Sequence, residues 1–455
     1  MEYYNVPNAP VEVQDGAYRM SRPIVRPITT IIGYTNNTDI KVNEKYLLED
    51  INSALNFRNS DGQPNHLTRA IADAFNGGAP TVEVVVTINN NASPTLGEYY
   101  NALETTYELI TNTTIDYVVP AGVCIDDDPG TGEEGEERNF AYQLANFCFQ
   151  ATRNHQSASG FIGVKHPAAA LTGEAPTLAE IETWVEALED YDTDAIDGKD
   201  FTEYDGVTDD DNDGIPDNYR FWASASGKMP DGAGSALKDA LGNPIDIGAY
   251  IKVTAILGKA SNPEARAMTG NVVNGYYYTN GAASYAGMFA ALPINRGPSH
   301  LPIPGISISN HLSLSQSSRL TTARFVTLVS RGGDIKTSVG VTGAHNINNY
   351  QRSDYTLSST VKAVHLSIEA ARRTADRFLG EYNTIEKRLS LENEINMALE
   401  LLVSEGVLNG KQISIVSTQT DQLLGQVKVD LKLDVPGEIR QIIIRVALTL
   451  PGETL

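Results

Sequence analysis

Basic residues and long apolar runs are scarce in this sequence. Its 34 basic residues are outnumbered by 57 acidic ones, which gives a formal net charge of -23. Proteins that bind nucleic acid or an anionic membrane directly need basic patches, so this balance argues against both kinds of partner. The sequence also lacks any run of about 18 apolar residues, which a membrane-spanning helix would need.

Cysteine is nearly absent too. Cys124 and Cys148 are too few for a disulfide framework in a chain of 455 residues. They predict synthesis in a reducing compartment such as the cytosol. The opening MEYYNVPNAP has neither the basic nor the apolar segment of a secretion signal, so we expect no export by that route.

Catalytic signatures are missing as well. No His-Glu-x-x-His pair occurs among the seven histidines, and no Gly-x-Ser-x-Gly elbow is present. Gly258-Lys259 lacks the glycine five positions earlier that a phosphate loop requires. We therefore expect no enzymatic activity and no cofactor, with an α/β enzyme of unrecognised site kept as an alternative.

Residues 23–345 show strand-like and helix-like segments in alternation. The predicted strands are IVRPITTIIGY (ending at Gly33), TVEVVVTI, IDYVVPAGV and GFIGVKH. The predicted helices are NEKYLLEDINSAL, LTRAIADAFNGGAP, TLGEYYNALETTYELI and a segment from about Asn139 to Asn154. This alternation predicts a multi-domain α/β (α+β) protein with a three-layer α/β core and some parallel strand pairing. Residues 186–235 are rich in Asp and Gly, and predict an inserted acidic outer region.

Residues 346–440 predict a pair of helices followed by strands. The first helix has an apolar stripe of Val361, Val364, Ile368, Ala371, Ala375 and Phe378. We place Arg372 and Arg373 on its solvent face. The second helix is predicted to begin at a Ser390 cap and to end at Gly406, with a stripe of Leu391, Ile395, Ala398 and Leu402. Period-two strands should begin near Lys411 and Val427.

The two ends of the chain differ from its body. Residues 1–22 show no helical period and contain two prolines, which predicts a loose tail or an arm laid on another surface. Residues 441–455 alternate between apolar and polar side chains, which predicts a last strand. A last strand exposes an unpaired edge, and such an edge tends to bind other chains.

One segment, DDDNDGIPDNYR, suggests a metal site. It matches the first half of a calcium loop, with carboxylates at positions 1, 3, 5 and 9 and Gly214 at position 6. The candidate ligands are Asp209, Asp211, Asp213 and Asp217. Arg220 stands where the bidentate Glu belongs, so a calcium site and a merely solvated acidic loop both remain open. A calcium-binding surface or adhesion protein is therefore a second alternative function.

Several segments together resemble the contractile tail sheath family of bacteriophages and related injection systems. They are SRPIVRPITTIIGYTNN, ASYAGMFAALPINRGPSHLPIPG, SRLTTARFVTLVSRGGDIKTSVGVTGAH, the helix pair ending in GVLNG, and LKLDVPGEIRQIIIRVALT. The resemblance implies a structural protein of a virion tail or contractile injection particle. Hexameric rings would stack helically around an inner tube, between baseplate and tail terminator proteins. No direct contact with nucleic acid or membrane is implied.

The resemblance also implies a role for both ends. In such sheaths the N-terminal arm and the C-terminal strand add to a β-sheet of neighbouring subunits. The implied divisions are an arm at 1–22, an outer α/β region at 23–345, an inner core at 346–440 and a C-terminal strand at 441–455. The implied inter-subunit contacts are Tyr3, Tyr4, Val6, Val11, Val13, Ile442, Ile444, Val446 and Leu448.

Overall fold

A computed structural model describes most of the chain between Pro27 and Glu438. The described residues are 27–95, 98–99, 115–125, 127, 140–154, 156–168, 175–196, 247–261, 275–331, 334–344, 346–348, 351–352 and 355–438. None of the helices in these ranges has the length and apolar character that spanning a bilayer requires.

The described ranges contain sixteen strands and eight α-helices. The strands are β1 (Ile28–Tyr34), β2 (Lys45–Leu48), β3 (Val82–Ile88), β4 (Asp116–Pro120), β5 (Ala158–Gly163), β6 (Ile251–Thr254), β7 (Gly258–Ser261), β8 (Tyr276–Thr279), β9 (Ile306–Ile308), β10 (Phe325–Val326), β11 (Leu328–Arg331), β12 (Asp334–Thr337), β13 (Asn346–Asn348), β14 (Gln351–Arg352), β15 (Gly410–Val416) and β16 (Lys428–Asp434). The helices are α1 (His66–Gly77), α2 (Phe140–Asn154), α3 (Leu178–Ile196), α4 (Ala282–Ala291), α5 (Leu314–Thr322), α6 (Ser358–Ala375), α7 (Ile385–Ser404) and α8 (Gln419–Leu423).

A seven-stranded sheet forms the centre of the fold, in the order β10-β6-β5-β4-β1-β3-β2. Only β2 is antiparallel to its neighbour; the other pairs are parallel. Ile31 and Ile32 are both fully buried but belong to hydrophobic clusters on opposite faces of the sheet. Coverage of both faces explains why strands such as Val82–Ile88 are apolar almost throughout. The predicted α/β class is confirmed.

Most of the predicted elements are found in place. Strands β1, β3, β4 and β5 and helices α1 and α2 lie within or next to the segments predicted for them. Helix α1 ends at Gly78, which adopts the left-handed conformation with φ of 110°. Most of the helix predicted in TLGEYYNALETTYELI lies outside the described residues. The range 186–235 begins inside α3, which continues to Ile196, and the rest of it also lies outside.

The helix predicted in NEKYLLEDINSAL was wrong. The segment forms edge strand β2 followed by a 3-10 helix at Ile51–Phe57. Lys45–Leu48 pairs with β3, where Leu48 lies opposite Val82, and the Lys45 ammonium is 3.1 Å from the carboxylate of Glu83. Leu48 is buried while Leu47 is exposed, so the local period is two. Pairing with an available sheet edge has outweighed the local helical pattern.

The C-terminal helix pair and its two strands are confirmed, with a different start for α7. Its N-cap is Thr384, whose side chain accepts a hydrogen bond from the Lys387 amide, rather than Ser390. The four residues of its predicted stripe are all buried. At its end the amide of Gly406 bonds to the Val403 carbonyl and that of Val407 to Leu402, while Gly406 has φ of 74°. These two bonds form a Schellman motif, as the glycine predicted.

Helix α6 is buried over a wider arc than its predicted stripe. Val361 and Ala371 are buried, but the other four predicted positions are only half-buried. The polar residues His365, Ser367 and Glu369 are buried instead. The helix lies between α7 and the α/β region, so two of its faces are covered and a single stripe underestimates its burial.

Buried polar contacts join α6 to the α/β region. The Glu369 carboxylate accepts hydrogen bonds from the Ser157 amide at 2.8 Å and the Ser157 hydroxyl at 2.9 Å. It also lies 3.1 Å from the Arg372 guanidinium, which donates to the Thr152 carbonyl as well. The placement of Arg372 on the solvent face was therefore wrong. These bonds attach the C-terminal helices to the N-terminal edge of the central sheet.

A second buried contact lies nearer the start of α6. The Lys362 ammonium donates to the carbonyls of Leu292 and Pro293, at 3.2 and 3.0 Å. Burial lowers the pKa of Lys362 to about 8. Both ends of α6 are bonded to the α/β region. We therefore expect the C-terminal helix pair and the α/β region to move as one body.

We predict that Glu369→Ala destabilises the protein by about 2–4 kcal/mol, because it leaves the buried amide and hydroxyl of Ser157 without their charged acceptor and removes the ion pair with the half-buried Arg372. Chemical unfolding followed by circular dichroism measures this change. Glu394→Ala is the matched control, since Glu394 makes only a partly exposed ion pair with Arg377 at 3.6 Å and should change stability by about 0.5 kcal/mol or less. Equal effects of the two substitutions would contradict the assignment.

Candidate assembly surface

Strands β15 and β16 form a separate antiparallel ribbon. They pair from Gly410 opposite Asp434 to Val416 opposite Lys428. Within the part of the chain that the structure describes, no third strand pairs with either outer edge. A two-stranded ribbon is only marginally stable by itself and leaves two rows of backbone donors and acceptors for another strand.

Side-chain alternation fixes which face of the ribbon is covered. Ile413 and Ile415 of β15, with Val429, Leu431 and Leu433 of β16, are half-buried against the core that includes α7. Most of the residues between them are exposed, as the period-two pattern predicted. Any strand added at an edge would have to follow this same alternation, because a shift by one residue exchanges the two faces.

The connection between the two strands is well capped. Thr418 and Asp421 form a capping box at the start of α8, and the Lys428 ammonium lies 2.9 Å from the Asp421 carboxylate. Hydrogen bonds from Thr418 lower the pKa of Asp421 to about 2. These contacts therefore stabilise the connection at one end of the ribbon. Among the described residues, no further strand pairs with its outer edges.

Exposed apolar side chains cluster around the same region. Four of them follow one row of α7 at spacings of four or eight residues: Ile385, Leu389, Met397 and Leu401. Others flank the helix and the ribbon: Leu379, Tyr382, Val416, Leu423 and Leu424. Exposed apolar side chains are common at protein contact sites, so these residues are candidates for such a contact.

Neither set of predicted site residues falls within the described structure. The arm positions Tyr3, Tyr4, Val6, Val11, Val13, Ile442, Ile444, Val446 and Leu448 lie outside it. So do the candidate calcium ligands Asp209, Asp211, Asp213 and Asp217. Among the described residues, no group of three or more His, Cys, Asp or Glu side chains is placed to hold a metal ion.

A cleft of about 420 Å³ is the second candidate site. It lies beyond the carboxyl ends of β4 and β5, beside β1, and is lined by Cys124, Asp127, His166 and residues of α1 and β8. The chain runs from β1 to β3 on one side and then returns to β4 on the other, so this is the topological switch point of the sheet. Open α/β sheets commonly bind ligands at such a point.

The polar groups of this cleft bond mainly to one another. The buried Asp73 carboxylate accepts from the hydroxyls of Tyr277 at 2.5 Å and Thr279 at 2.9 Å. Asp127 is 2.7 Å from the Lys165 ammonium. His166 stacks on Tyr278 with ring centroids 4.5 Å apart, and burial lowers its pKa to about 4. These contacts hold α1, β5 and β8 together, so they support a structural role for the cleft more than an acid–base one.

Solved structures give the decisive comparison. A sheath chain of an extracellular contractile injection system (PVC) in the contracted state is 12% identical over 92% of this chain and 91% of its own, with a TM-score of 0.55. A chain of the anti-feeding prophage baseplate is 10% identical over 98% of this chain and 99% of its own, also at 0.55. The chain has the contractile-sheath fold. A sheath tail protein from Desulfitobacterium hafniense is 8% identical over 89% of this chain and 96% of its own, at 0.49.

The likeness in fold covers nearly the whole chain and confirms the fold that the sequence resemblance implied. No protein-family model and no curated protein matches the sequence. At identities of 10% and 12%, the likeness concerns the arrangement of the backbone and assigns no functional residue.

Sequence reasoning missed two polar contacts in the sheath fold. One joins Glu369 to Ser157, and the other joins Glu438 to Ser299. Their partners are separated by 212 and 139 residues, so no local period connects them. Glu438 and Ser299 both lie in segments that carry the resemblance to tail sheaths, but nothing in the sequence indicates that they meet.

The Asp73 cluster predicts a pH dependence of stability. Burial raises the pKa of Asp73 to about 6, from an ordinary value near 4. The carboxyl group is protonated in both folded and unfolded chains below about pH 4. Its contribution to stability therefore falls as pH rises from about 4 to 6, by up to about 3 kcal/mol, and then stays constant.

Asp73→Asn should remove this dependence. Urea unfolding of both proteins between pH 4 and 7 measures it as a wild-type stability that declines relative to the variant. Asp39→Asn, at an exposed position, controls for the loss of one negative charge. A wild-type-minus-variant difference that stays constant with pH would show that Asp73 does not titrate in this range.

Proposed function

We propose that this chain is the polymerising subunit of a contractile sheath. The observation that carries the proposal is the β15–β16 ribbon, whose outer edges have no partner strand among the described residues. The likeness of the backbone to a contracted injection-system sheath supports it over nearly the full length. Neither a surface adhesin nor an enzyme explains both features together.

The ribbon edges are the proposed sites of strand addition. Residues 1–22 of one neighbour and 441–455 of another would pair with the ribbon through main-chain hydrogen bonds, with side-chain alternation fixing the register. Each bond contributes about 0.5–1.5 kcal/mol, so a strand making about five of them contributes a few kcal/mol. A contact of this head-to-tail kind propagates into an open helix or closes into rings. Six-membered rings stacked helically are the arrangement that we propose.

The exposed apolar and acidic parts of the chain suggest its other proposed partners. The apolar row on α7 would face an inner tube, since several exposed apolar side chains on one helix favour contact with another protein. The acidic range 186–235 would face solvent, which suits a protein with a net charge of -23 at high concentration. A baseplate and a tail terminator would bind the two ends of the stack. The particle would be a virion tail or an injection particle, assembled in the bacterial cytoplasm.

Contraction would move each subunit as a rigid body while the added strands flex. The bonds of Glu369 and Lys362 to the α/β region support this, because they join the ribbon-bearing helices to the central sheet. A stack that shortens in this way would drive the tube through a cell envelope.

The main test removes the N-terminal arm. We expect the wild-type protein to form rings or tubes visible by negative-stain electron microscopy and to sediment as polymers. Deletion of residues 1–22 should abolish these polymers, while circular dichroism and the unfolding midpoint stay unchanged, because the deleted residues precede β1. Scrambling residues 1–22 at constant composition is the matched control and should also abolish assembly. Polymers that persist after the deletion would rule out arm-mediated assembly.

Calcium binding in the Asp-rich segment is a separate part of the proposal. If Asp209, Asp211, Asp213 and Asp217 coordinate Ca²⁺, the ion relieves the repulsion among four crowded carboxylates. Calorimetric titration with Ca²⁺ should then release heat with the wild type, and less or none with Asp211→Ala or Asp213→Ala. A wild-type titration without heat of binding would remove the site.

A further inference from the structure

A cavity of about 610 Å³ lies where the chain leaves β16. The loop at 294–299, the start of α6 and the end of α7 surround it, and residues 435–438 form its remaining wall. The cavity thus lies at the junction of the ribbon, the helix pair and the α/β region. Glu438, the last residue that the structure describes, lies in its wall.

Glu438 is bonded to the α/β side of this junction. The Ser299 hydroxyl donates a hydrogen bond to the Glu438 carboxylate and accepts one from the Gly340 amide at 3.0 Å. Gly297 makes room for the contact, since a Cβ atom at that position would overlap the Glu438 carboxylate. The second carboxylate oxygen is buried without a hydrogen-bond partner among the described residues.

The loop that receives Glu438 is itself held in place. The Lys362 ammonium bonds to the carbonyls of Leu292 and Pro293 just before it, and Pro298 packs against Gly340. Glu438 is therefore tied to a fixed part of the subunit and not only to the ribbon. By contrast, Gly437 is exposed, and a methyl group there would meet no atom within 4 Å.

We propose that Glu438 is a positioning residue for assembly, which fixes the direction in which the C-terminal segment leaves the subunit toward a second copy of this chain. The inference rests on the proposed function. A chain pivoting freely at Gly437 would sample many directions, and pairing with a neighbour would have to restrict them all. The bond at Glu438 restricts them beforehand, and a segment arranged in advance binds more tightly than a free one.

The experiment compares four substitutions in the full-length protein. Glu438→Ala removes the anchoring carboxylate, and Gly297→Ala displaces it from the opposite side. The controls are Gly437→Ala, at the neighbouring glycine with open space, and Glu405→Ala, at an exposed glutamate. For each variant, sedimentation gives the critical concentration for polymerisation, and thermal unfolding gives the stability of the subunit.

We expect Glu438→Ala and Gly297→Ala to raise the critical concentration by roughly tenfold or more, as loss of a hydrogen bond to a charged group implies. Both controls should polymerise like the wild type. Below the critical concentration, hydrogen–deuterium exchange of the Gly340 amide, which bonds to Ser299, should become faster in Glu438→Ala. If Glu438→Ala does not fold, Glu438→Gln, which retains one hydrogen-bonding oxygen, should fold and show a smaller rise in critical concentration.

Two results would overturn the inference while leaving the proposed function intact. One is wild-type assembly by Glu438→Ala, and the other is a loss of assembly that merely follows a lower unfolding temperature in both anchor variants. If the wild-type protein never polymerises, both the proposed function and this inference are wrong.

Discussion

An antiparallel ribbon of two strands has two edges, and each edge carries backbone groups that require partners. This constraint organises the C-terminal region of the protein. One face of β15 and β16 is covered by α7, and their connection is closed by the capping box at Thr418. Packing against one face and capping the turn supply no hydrogen-bond partners to the backbone groups at the edges, because main-chain hydrogen bonds lie in the plane of the sheet. Under the proposed function, strands added by other copies of the chain would satisfy that need, and the subunit would be complete only within a polymer.

A polymer that changes shape needs subunits that transmit force without deforming. Under the proposed function, the buried contacts of α6 would meet this requirement, because they join its two ends to different parts of the α/β region. Glu369 binds at the N-terminal edge of the sheet and Lys362 at the loop that follows α4. Glu438 adds a third contact at the root of the C-terminal segment. Under the proposed function, movement during contraction would therefore take place between subunits rather than inside them.

The cleft at the switch point shows that a favourable position in the topology does not by itself identify a ligand-binding site. Its position is where an α/β sheet usually binds a ligand, and its lining is rich in titratable groups. Yet Asp73 and Asp127 are already bonded to neighbouring side chains, and His166 is stacked on Tyr278. Side chains of types that could bind a substrate instead form contacts between neighbouring elements of the fold.

The sequence by itself determined the elements whose signals are local. Apolar runs located β1, β3, β4 and β5, and stripes and glycine caps located α1 and the end of α7. Local signals failed at Lys45–Leu48, where an available sheet edge converted a helical pattern into a strand. They also failed at α6, whose polar face is buried by residues more than 200 positions away. The pairing of Glu369 with Ser157 and of Glu438 with Ser299 was decided only by the tertiary structure. Such contacts depend on which distant segments the packed core brings together. A periodicity of two or 3.6 residues reports only local structure, so it cannot predict them.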